Sequence, residues 1–193
     1  MAMHETPSSM LKESLDETLE AAKYGVDYKK TDKKWGDFAT GGCLGYPSAI
    51  LLFSIIDSIG SYFRKNDTIE ILIDGKKNRI NAAGWEHFKI LNSKYFNQTL
   101  SSDFMKKLYN KFRSCLTHNS VIGSETLMIP NNTLIKPPVQ DKAFGIYTDS
   151  SGNTSHVISI KELWDLCFKA VEHFKLDIDM VVSTSKQGKG FQK

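Results

Sequence analysis

Apolar residues recur three or four positions apart in several stretches of the chain, and this spacing places them on one face of an α-helix. The helices predicted from it cover roughly residues 7–25, 47–64, 82–94, 101–117 and 160–175. Thr6 and Pro7 form a start signal for the first helix, with Thr6 as its N-cap, and Gly25 ends its pattern. Pro47 opens the second helix in the same way.

Two other stretches carry β-branched residues on both sides of a turn sequence. Residues 68–80 surround Asp74-Gly75, and residues 143–160 surround Ser151-Gly152-Asn153. Each pattern predicts a β-hairpin, because Asp-Gly and Gly-Asn supply the backbone conformations that tight turns need.

The remaining segments show little periodicity. Residues 26–46 are predicted to be irregular, and residues 121–140, with three prolines, to be a long connection. Residues 183–193 carry three lysines and no acid and are predicted to be a flexible basic tail. The chain of 193 residues is thus predicted to be a single, mainly α domain, a helical bundle with two small β-hairpins.

Composition narrows the class of protein. A net charge of +3 and a pI near 8.6 are compatible with an acidic partner such as RNA without requiring one. Cys43, Cys115 and Cys167 form no CxxC pair, so we expect reduced thiols in a cytoplasmic protein. The most apolar run, residues 49–63, contains Asp57 and is too short for a membrane span, and the first 20 residues lack the apolar core of a signal peptide.

The sequence lacks the motifs of several common binding and catalytic sites. Residues 40–47, TGGCLGYP, lack the Gly-Lys-Ser/Thr of a phosphate loop and are predicted to be a tight loop before a helix. No histidine pair has the spacing of a helical metal site, and no Gly-x-Ser-x-Gly is present, so no metal and no cofactor are expected. Asp57, alone in an apolar helix, is expected to be capped or paired, the alternative being that it faces a functional cleft.

The helix predicted over 101–117 ends in FRSCLTHNS, residues 112–120, where four residues separate an arginine from a histidine. On an α-helical wheel, the apolar side expected to face the core holds Phe104, Leu108, Phe112, Cys115 and Leu116. The opposite sector, bordered by Arg113, holds Lys106, Lys107, Asn110, Lys111, Ser114, Thr117 and His118. Its three lysines without an acid would attract phosphate, whereas a solvated helix end with C-terminal cations would look similar.

Arginine and histidine are also suited to phosphodiester chemistry. The guanidinium of Arg113 offers a planar fork of donors to phosphoryl oxygens. Histidine changes charge near neutral pH, so His118 could move a proton to or from a hydroxyl. With a 2′-hydroxyl as the nucleophile, such a pair could cut RNA without a metal ion.

The stretch RSCLTH, residues 113–118, resembles the signature of the HEPN superfamily of small helical bundles, an arginine and a histidine separated by four to six residues. The resemblance implies a metal-independent endoribonuclease that leaves a 2′,3′-cyclic phosphate and that acts as a homodimer, the motifs of two chains sharing one cleft. It implies that Arg113 stabilises the phosphate, that His118 is the general acid or base, and that Ser114 assists by hydrogen bonding. The polar residues expected to bind the RNA are Lys106, Lys107, Asn110 and Lys111.

The resemblance leaves a second function open. Some HEPN members have lost activity and serve as binding or dimerisation modules. The alternative is therefore a non-catalytic interaction or nucleotide-binding module of a defence or toxin–antitoxin system, with an antitoxin or another protein as partner. Arg113 and His118 in a shared, open, basic cleft would favour the enzyme, and Arg113 held in an internal ion pair remote from His118 would argue against it.

Overall fold

The computed structural model describes residues 6–39, 41–130 and 142–190 and confirms a mainly helical chain. The helices are α1 (Pro7–Asp27), a first 3₁₀-helix (Lys33–Phe38), α2 (Gly45–Tyr62), a second 3₁₀-helix (Gly84–Asn92), α3 (Ser102–Lys107), a π-helix (Leu108–Ser114), α4 (Cys115–Asn119), α5 (Ile160–Thr184) and α6 (Lys186–Gly190). The strands are β1 (Ile71–Ile73), β2 (Lys76–Asn78), β3 (Thr126–Ile129), β4 (Phe144–Thr148) and β5 (Thr154–Ser159).

The long helices α1, α2 and α5 pack against one another and form the centre of the protein. Helix α2 buries Ala49, Leu52, Phe53, Ile55, Ile56 and Ile59, as its apolar sequence predicted. Helix α5 begins where the pattern indicated but does not end near residue 175. It continues to Thr184 because Ile178, Val181 and Val182 extend the same buried stripe at helical spacing.

The start of α1 is confirmed and its predicted end is wrong. The Thr6 hydroxyl accepts a hydrogen bond from the Ser9 backbone N–H at 3.2 Å, which satisfies a donor that the first turn would otherwise leave free. Helix α1 runs past Gly25 to Asp27. A Cβ at Gly25 would lie 2.2 Å from the Ser48 hydroxyl, so this glycine permits the close approach of α1 to α2 and does not terminate the helix.

The two predicted hairpins are present. In the first, β1 and β2 pair antiparallel across Asp74 and Gly75, both with positive φ, as the Asp-Gly turn predicted. In the second, β4 and β5 pair antiparallel. This hairpin is part of a three-stranded sheet, because β3 pairs parallel with β5 from Thr126 opposite His156 onward.

Strand β3 corrects the prediction of an unstructured connection over 121–140, of which residues 131–140 lie outside the described part. A strand of four residues is too short to show a clear alternation of apolar and polar side chains. Its pairing with β5, which is distant in sequence, cannot be predicted from the local pattern.

The helical segments predicted over 82–94 and 101–117 are present but are not simple α-helices. The first is a 3₁₀-helix whose residues 87–92 are all buried, so it has no solvated face. The second is continuous from Ser102 to Asn119 but passes from α to π and back to α. Residues 183–190, predicted as part of a flexible tail, are mostly helical, and Gly188 is buried against α5.

Among the described residues, no helix has the length and apolarity that crossing a membrane requires.

A buried asparagine joins the first hairpin to the second 3₁₀-helix. The Asn92 side-chain amide donates to the carbonyl oxygens of Leu72 at 2.9 Å and Leu100 at 2.7 Å, and its oxygen accepts from the Leu100 N–H at 2.9 Å. We expect Asn92→Ala to lower the free energy of unfolding by roughly 2–4 kcal/mol, because it leaves three backbone groups without partners. Urea unfolding measures this loss, and Asn78→Ala, which removes a single solvent-exposed hydrogen bond of 3.5 Å, is the control. Equal effects of the two substitutions would contradict the role of Asn92.

Candidate functional site

One carboxylate connects three segments of the chain. Asp57 of α2 contacts His87 of the second 3₁₀-helix, with 2.7 Å between Oδ1 and Nδ1. Its other oxygen, Oδ2, accepts a hydrogen bond from Nη2 of Arg113 in the π-helix, also at 2.7 Å. The side chains of Asp57, His87 and Arg113 are 22%, 9% and 24% exposed. We call this arrangement the Asp57 bridge; its arginine lies partly at the surface and its histidine is buried.

A cluster of aromatic rings positions the three segments. Phe53 of α2 stacks on Phe88 at 5.7 Å and lies 6.3 Å from the ring of Phe112, and Phe88 meets Tyr109 edge to face at 5.5 Å. Each member of the bridge is close in sequence to one of these rings. Phe88 follows His87, Phe112 precedes Arg113, and Phe53 is one helical turn before Asp57. Apolar packing therefore brings the polar groups within reach of one another.

Gly60 allows the close approach that the bridge needs. A Cβ at this position of α2 would lie 2.3 Å from the carbonyl oxygen of His87. Since Gly60 is three residues after Asp57, the absent side chain lets α2 lie directly against the backbone that carries His87.

Asp57 is held in its ionised form. Burial by itself would raise its pKa, but the hydrogen bond to His87 and the positive charge of Arg113 outweigh burial and lower the pKa. An ionised carboxylate only accepts hydrogen bonds, so Nδ1 of His87 carries the proton that lies between them. The other ring nitrogen of His87, Nε2, is buried and has no hydrogen-bond partner in the described part of the chain.

Arg113 retains unused donors. Its guanidinium contacts the Asp57 carboxylate through Nη2 and lies 5.4 Å from the centre of the Tyr109 ring. Among the described residues, Nη1 and Nε make no hydrogen bond, so part of the donor fork stays available to a ligand.

The π-helix corrects the wheel on which the polar sector was predicted. A wheel of about 100° per residue assumes α-helical geometry throughout, whereas residues Leu108–Ser114 form the wider π turns. Cys115, predicted to face the core, is half-buried, and its thiol contacts the carbonyl oxygen of Asn110 at 3.2 Å. Leu108, Phe112 and Leu116 face the core as predicted, and Met105 joins them.

Within the described residues, the predicted catalytic partners of Arg113 make no side-chain hydrogen bond or ion pair with it. His118 is exposed on α4, two residues before Ser120 closes the helix with a left-handed backbone, and it makes no hydrogen bond or ion pair within the described residues. The hydroxyl of Ser114 likewise makes none. The structure therefore brings Arg113 to Asp57 and His87, which the sequence did not foresee, and leaves His118 open to solvent on the following helical turn.

The predicted RNA-binding residues divide into two groups. Lys106 lies 5.0 Å from the centre of the Trp85 ring and pairs weakly with Asp103 at 3.7 Å. Lys107 and Lys111 lie near His156 of β5 instead. Burial is the largest cause that lowers the pKa of His156, and the positive charge of Lys107 is the second.

The ε-ammonium of Lys111 donates to the Ser124 hydroxyl at 3.1 Å, and the Asn110 side chain is exposed without a partner in the described part. The wheel indicated a polar sector without acids. In the structure Asp57 of α2 pairs with Arg113 at the border of this sector, so the sector does contain an acid.

His87 is the residue that sequence reasoning missed, since a lone histidine within a helical pattern indicates no partner by itself. The one available signal was Asp57 itself, whose charge within an apolar helix requires partners. The sequence could not say which partners, because 30 and 56 residues separate Asp57 from His87 and Arg113.

A metal-binding group or a surface groove could also provide a ligand site. Within the described residues, no group of three His, Cys, Asp or Glu side chains could hold a metal ion. A groove of about 900 Å³ between residues 96–100, β4 and α5 contains none of Arg113, Ser114 and His118. No protein-family model, no curated protein and no solved structure matches this chain.

We expect Gly60→Ala to lower the free energy of unfolding by about 1–3 kcal/mol or more, because the added methyl group overlaps the His87 carbonyl and separates α2 from the second 3₁₀-helix. The matched control is Gly190→Ala at the end of α6, where the added carbon would meet no other described segment of the chain within 4 Å. Urea unfolding of both variants tests the packing. An unchanged stability of Gly60→Ala would show that the two helices do not approach this closely.

The bridge also predicts a dependence of stability on pH. Because the pKa of Asp57 is lowered in the folded chain, its contribution is complete above the unfolded pKa of about 3.9 and is lost as pH falls through the lower, folded value. Asp57→Asn should therefore cost roughly 1–3 kcal/mol at pH 7 and progressively less below pH 4. Urea unfolding at pH 7, 5 and 3 measures the difference, with Asp103→Asn, 85% exposed, as the control. A difference that does not change with pH would contradict an ionised Asp57.

Proposed function

We propose that the chain is a HEPN-like, metal-independent endoribonuclease in which Arg113 binds the RNA phosphate and His118 transfers the proton. The observation that supports this most is the state of Arg113. One nitrogen of its guanidinium is fixed by Asp57, while two others make no hydrogen bond in the described part of the chain. A guanidinium already oriented loses less conformational entropy when it binds phosphate.

The proposed reaction needs only groups of the RNA and the protein. A neutral His118 accepts the proton of the 2′-hydroxyl while the 2′-oxygen forms a bond to phosphorus. The bond from phosphorus to the 5′-oxygen breaks, and a protonated histidine gives its proton to that oxygen. Arg113 stabilises the negative charge on the phosphoryl oxygens. In the homodimer that the HEPN resemblance implies, the His118 side chains of the two protomers would serve as base and acid.

Asp57 and His87 act in this proposal as positioning residues. Asp57 compensates part of the charge of Arg113, which weakens its general attraction for anions. In return it fixes the plane of the guanidinium, and His87 fixes Asp57 through the other carboxylate oxygen. Ser114, without a hydrogen bond of its own in the described residues, and the exposed Lys107 and Asn110 are the further groups proposed to contact RNA.

One observation favours the alternative, a non-catalytic interaction or nucleotide-binding module. Arg113 is held in an internal ion pair with Asp57, which is the first of the two conditions given above as arguing against the enzyme. No hydrogen bond or ion pair joins Arg113 to His118 within the described part of the chain. An arginine held in this way also stabilises the fold without any substrate. The two functions differ in what His118 does, since only the enzyme requires its imidazole.

The test is incubation of single-stranded RNA with the protein in EDTA. We expect cleavage with 2′,3′-cyclic phosphate ends, and a rate lower by about 100-fold or more for His118→Ala, because a general acid or base contributes that much. His173→Ala removes another exposed histidine, on α5, and should leave the rate unchanged. RNA with 2′-deoxy sugars should not be cut.

The same assay separates the alternatives. Equal cleavage by wild type and His118→Ala would remove His118 from the mechanism. Binding of RNA or nucleotide without any cleavage by the wild-type protein would favour the non-catalytic module.

A further inference from the structure

The described residues of the loop between α1 and α2, 28–39 and 41–44, form a hydrogen-bonded conformation at the surface. Its two ends are joined by hydrogen bonds from the Lys30 N–H to the Gly42 carbonyl at 2.9 Å and from the Gly41 N–H to the Lys30 carbonyl at 3.1 Å. Within it, the Asp32 carboxylate accepts from the Lys34 N–H at 3.0 Å and caps the first 3₁₀-helix. The loop therefore holds its side chains in place although most of them are exposed.

This loop carries a pair of aromatic rings. Tyr28 and Trp35 meet edge to face with 6.0 Å between ring centres, and Nε1 of Trp35 donates to the Tyr28 hydroxyl at 3.2 Å. Tyr24, 69% exposed, lies 6.1 Å from Tyr28, and Phe38 of the same loop is 72% exposed. Rings that served the core alone would be buried, whereas Tyr24 is exposed and Tyr28 and Trp35 are only partly buried.

Lysines flank the rings. The ammonium of Lys30 lies 5.7 Å from the Trp35 ring centre, and that of Lys34 lies 5.8 Å from Tyr28 and 5.9 Å from Trp35. The hydrogen bond from Trp35, followed by the interaction with Lys34, lowers the pKa of Tyr28, as expected for a ring between a donor and a cation. Residues 28–38 hold four lysines and two aspartates, and Lys34 meets its aspartate, Asp32, only at 3.9 Å.

Aromatic faces interleaved with lysines are what single-stranded nucleic acids require. Bases stack on the rings whatever their sequence, and ammonium groups follow the phosphates. A basic surface without rings would attract any polyanion, and rings without lysines would suit an apolar protein segment. Their combination selects a chain of bases and phosphates.

We propose that Tyr24, Tyr28, Lys30, Lys34 and Trp35, the aromatic platform, bind single-stranded RNA at a surface separate from the Arg113–His118 site. The choice of RNA over single-stranded DNA rests on the proposed function. The platform adjoins the N-terminal end of α2, which begins at Gly45. Asp57 lies 12 residues further along this helix, so the α-helical rise places it about 18 Å from Gly45. A strand held on the platform would raise the local concentration of RNA at the catalytic groups.

Binding is measured by fluorescence anisotropy with labelled oligo-uridine in EDTA, in the His118→Ala background so that no strand is cut. We expect Trp35→Ala to weaken the affinity roughly 5- to 100-fold and Trp35→Phe to weaken it much less, since phenylalanine keeps a ring for stacking. Tyr24→Ala, at a largely exposed position, removes a ring without disturbing the fold and should also weaken binding.

The lysines are tested by salt dependence. Lys30→Gln with Lys34→Gln should reduce the slope of log Kd against log salt by about 1.4, because two phosphate contacts are lost on a single strand. Lys186→Gln with Lys189→Gln on α6 removes the same charge elsewhere and should leave the slope unchanged. Equal slopes for the two double variants would overturn the proposal.

The outcomes separate this surface from the proposed function. Absence of RNA binding by the parent protein, or equal affinity of Trp35→Ala and Trp35→Phe, overturns the platform. Cleavage that Trp35→Ala and Tyr24→Ala leave unchanged overturns the platform and leaves the nuclease intact. Platform-dependent binding without cleavage by the wild-type protein overturns the nuclease alone. Platform-dependent capture of an apolar peptide in place of RNA overturns the choice of ligand.

Discussion

A carboxylate inserted into an apolar helix has to be paired, and here the pairing fixes α2, the second 3₁₀-helix and the π-helix in one relative position. Leaving Asp57 buried without partners would cost several kcal/mol. His87 and Arg113 supply one hydrogen bond to each carboxylate oxygen, and the aromatic rings beside all three residues bring the segments together. Ring packing is only weakly directional, whereas the two hydrogen bonds tolerate little displacement. The bridge therefore sets the register of an otherwise adaptable core.

The Asp57 bridge stabilises the fold but weakens the attraction of Arg113 for anions. It gives Asp57 a counter-charge, and in doing so it reduces the charge that Arg113 can offer to a phosphate. The gain is orientation, because a guanidinium held through one nitrogen presents the other two in a fixed plane. The widened turns of the π-helix lie where this orientation is set, and interruptions of this kind are frequent at functional positions of helices.

The cations of the protein are placed in two different environments. Arg113 is partly buried against a carboxylate, where electrostatic interactions are stronger than at a fully exposed position. Lys30 and Lys34 lie at the surface beside aromatic rings, which attract an ammonium without neutralising it. In the proposed function the first environment binds one phosphate of the RNA, and in the proposed platform the second binds a mobile, repeating polyanion.

The sequence by itself determined the elements whose causes are local. The Thr6 cap, the Asp-Gly turn of the first hairpin and the apolar stripes of α2 and α5 follow from side chains a few positions apart. It also determined that Asp57 needs a partner. Only the tertiary structure decided which partner, since both partners are far along the chain. The second 3₁₀-helix meets α2 at Gly60, and the π-helix meets α2 through the rings of Phe53 and Phe112. The parallel pairing of β3 and the departure from α-helical geometry around Arg113 have the same origin, because each depends on contacts that no local pattern encodes.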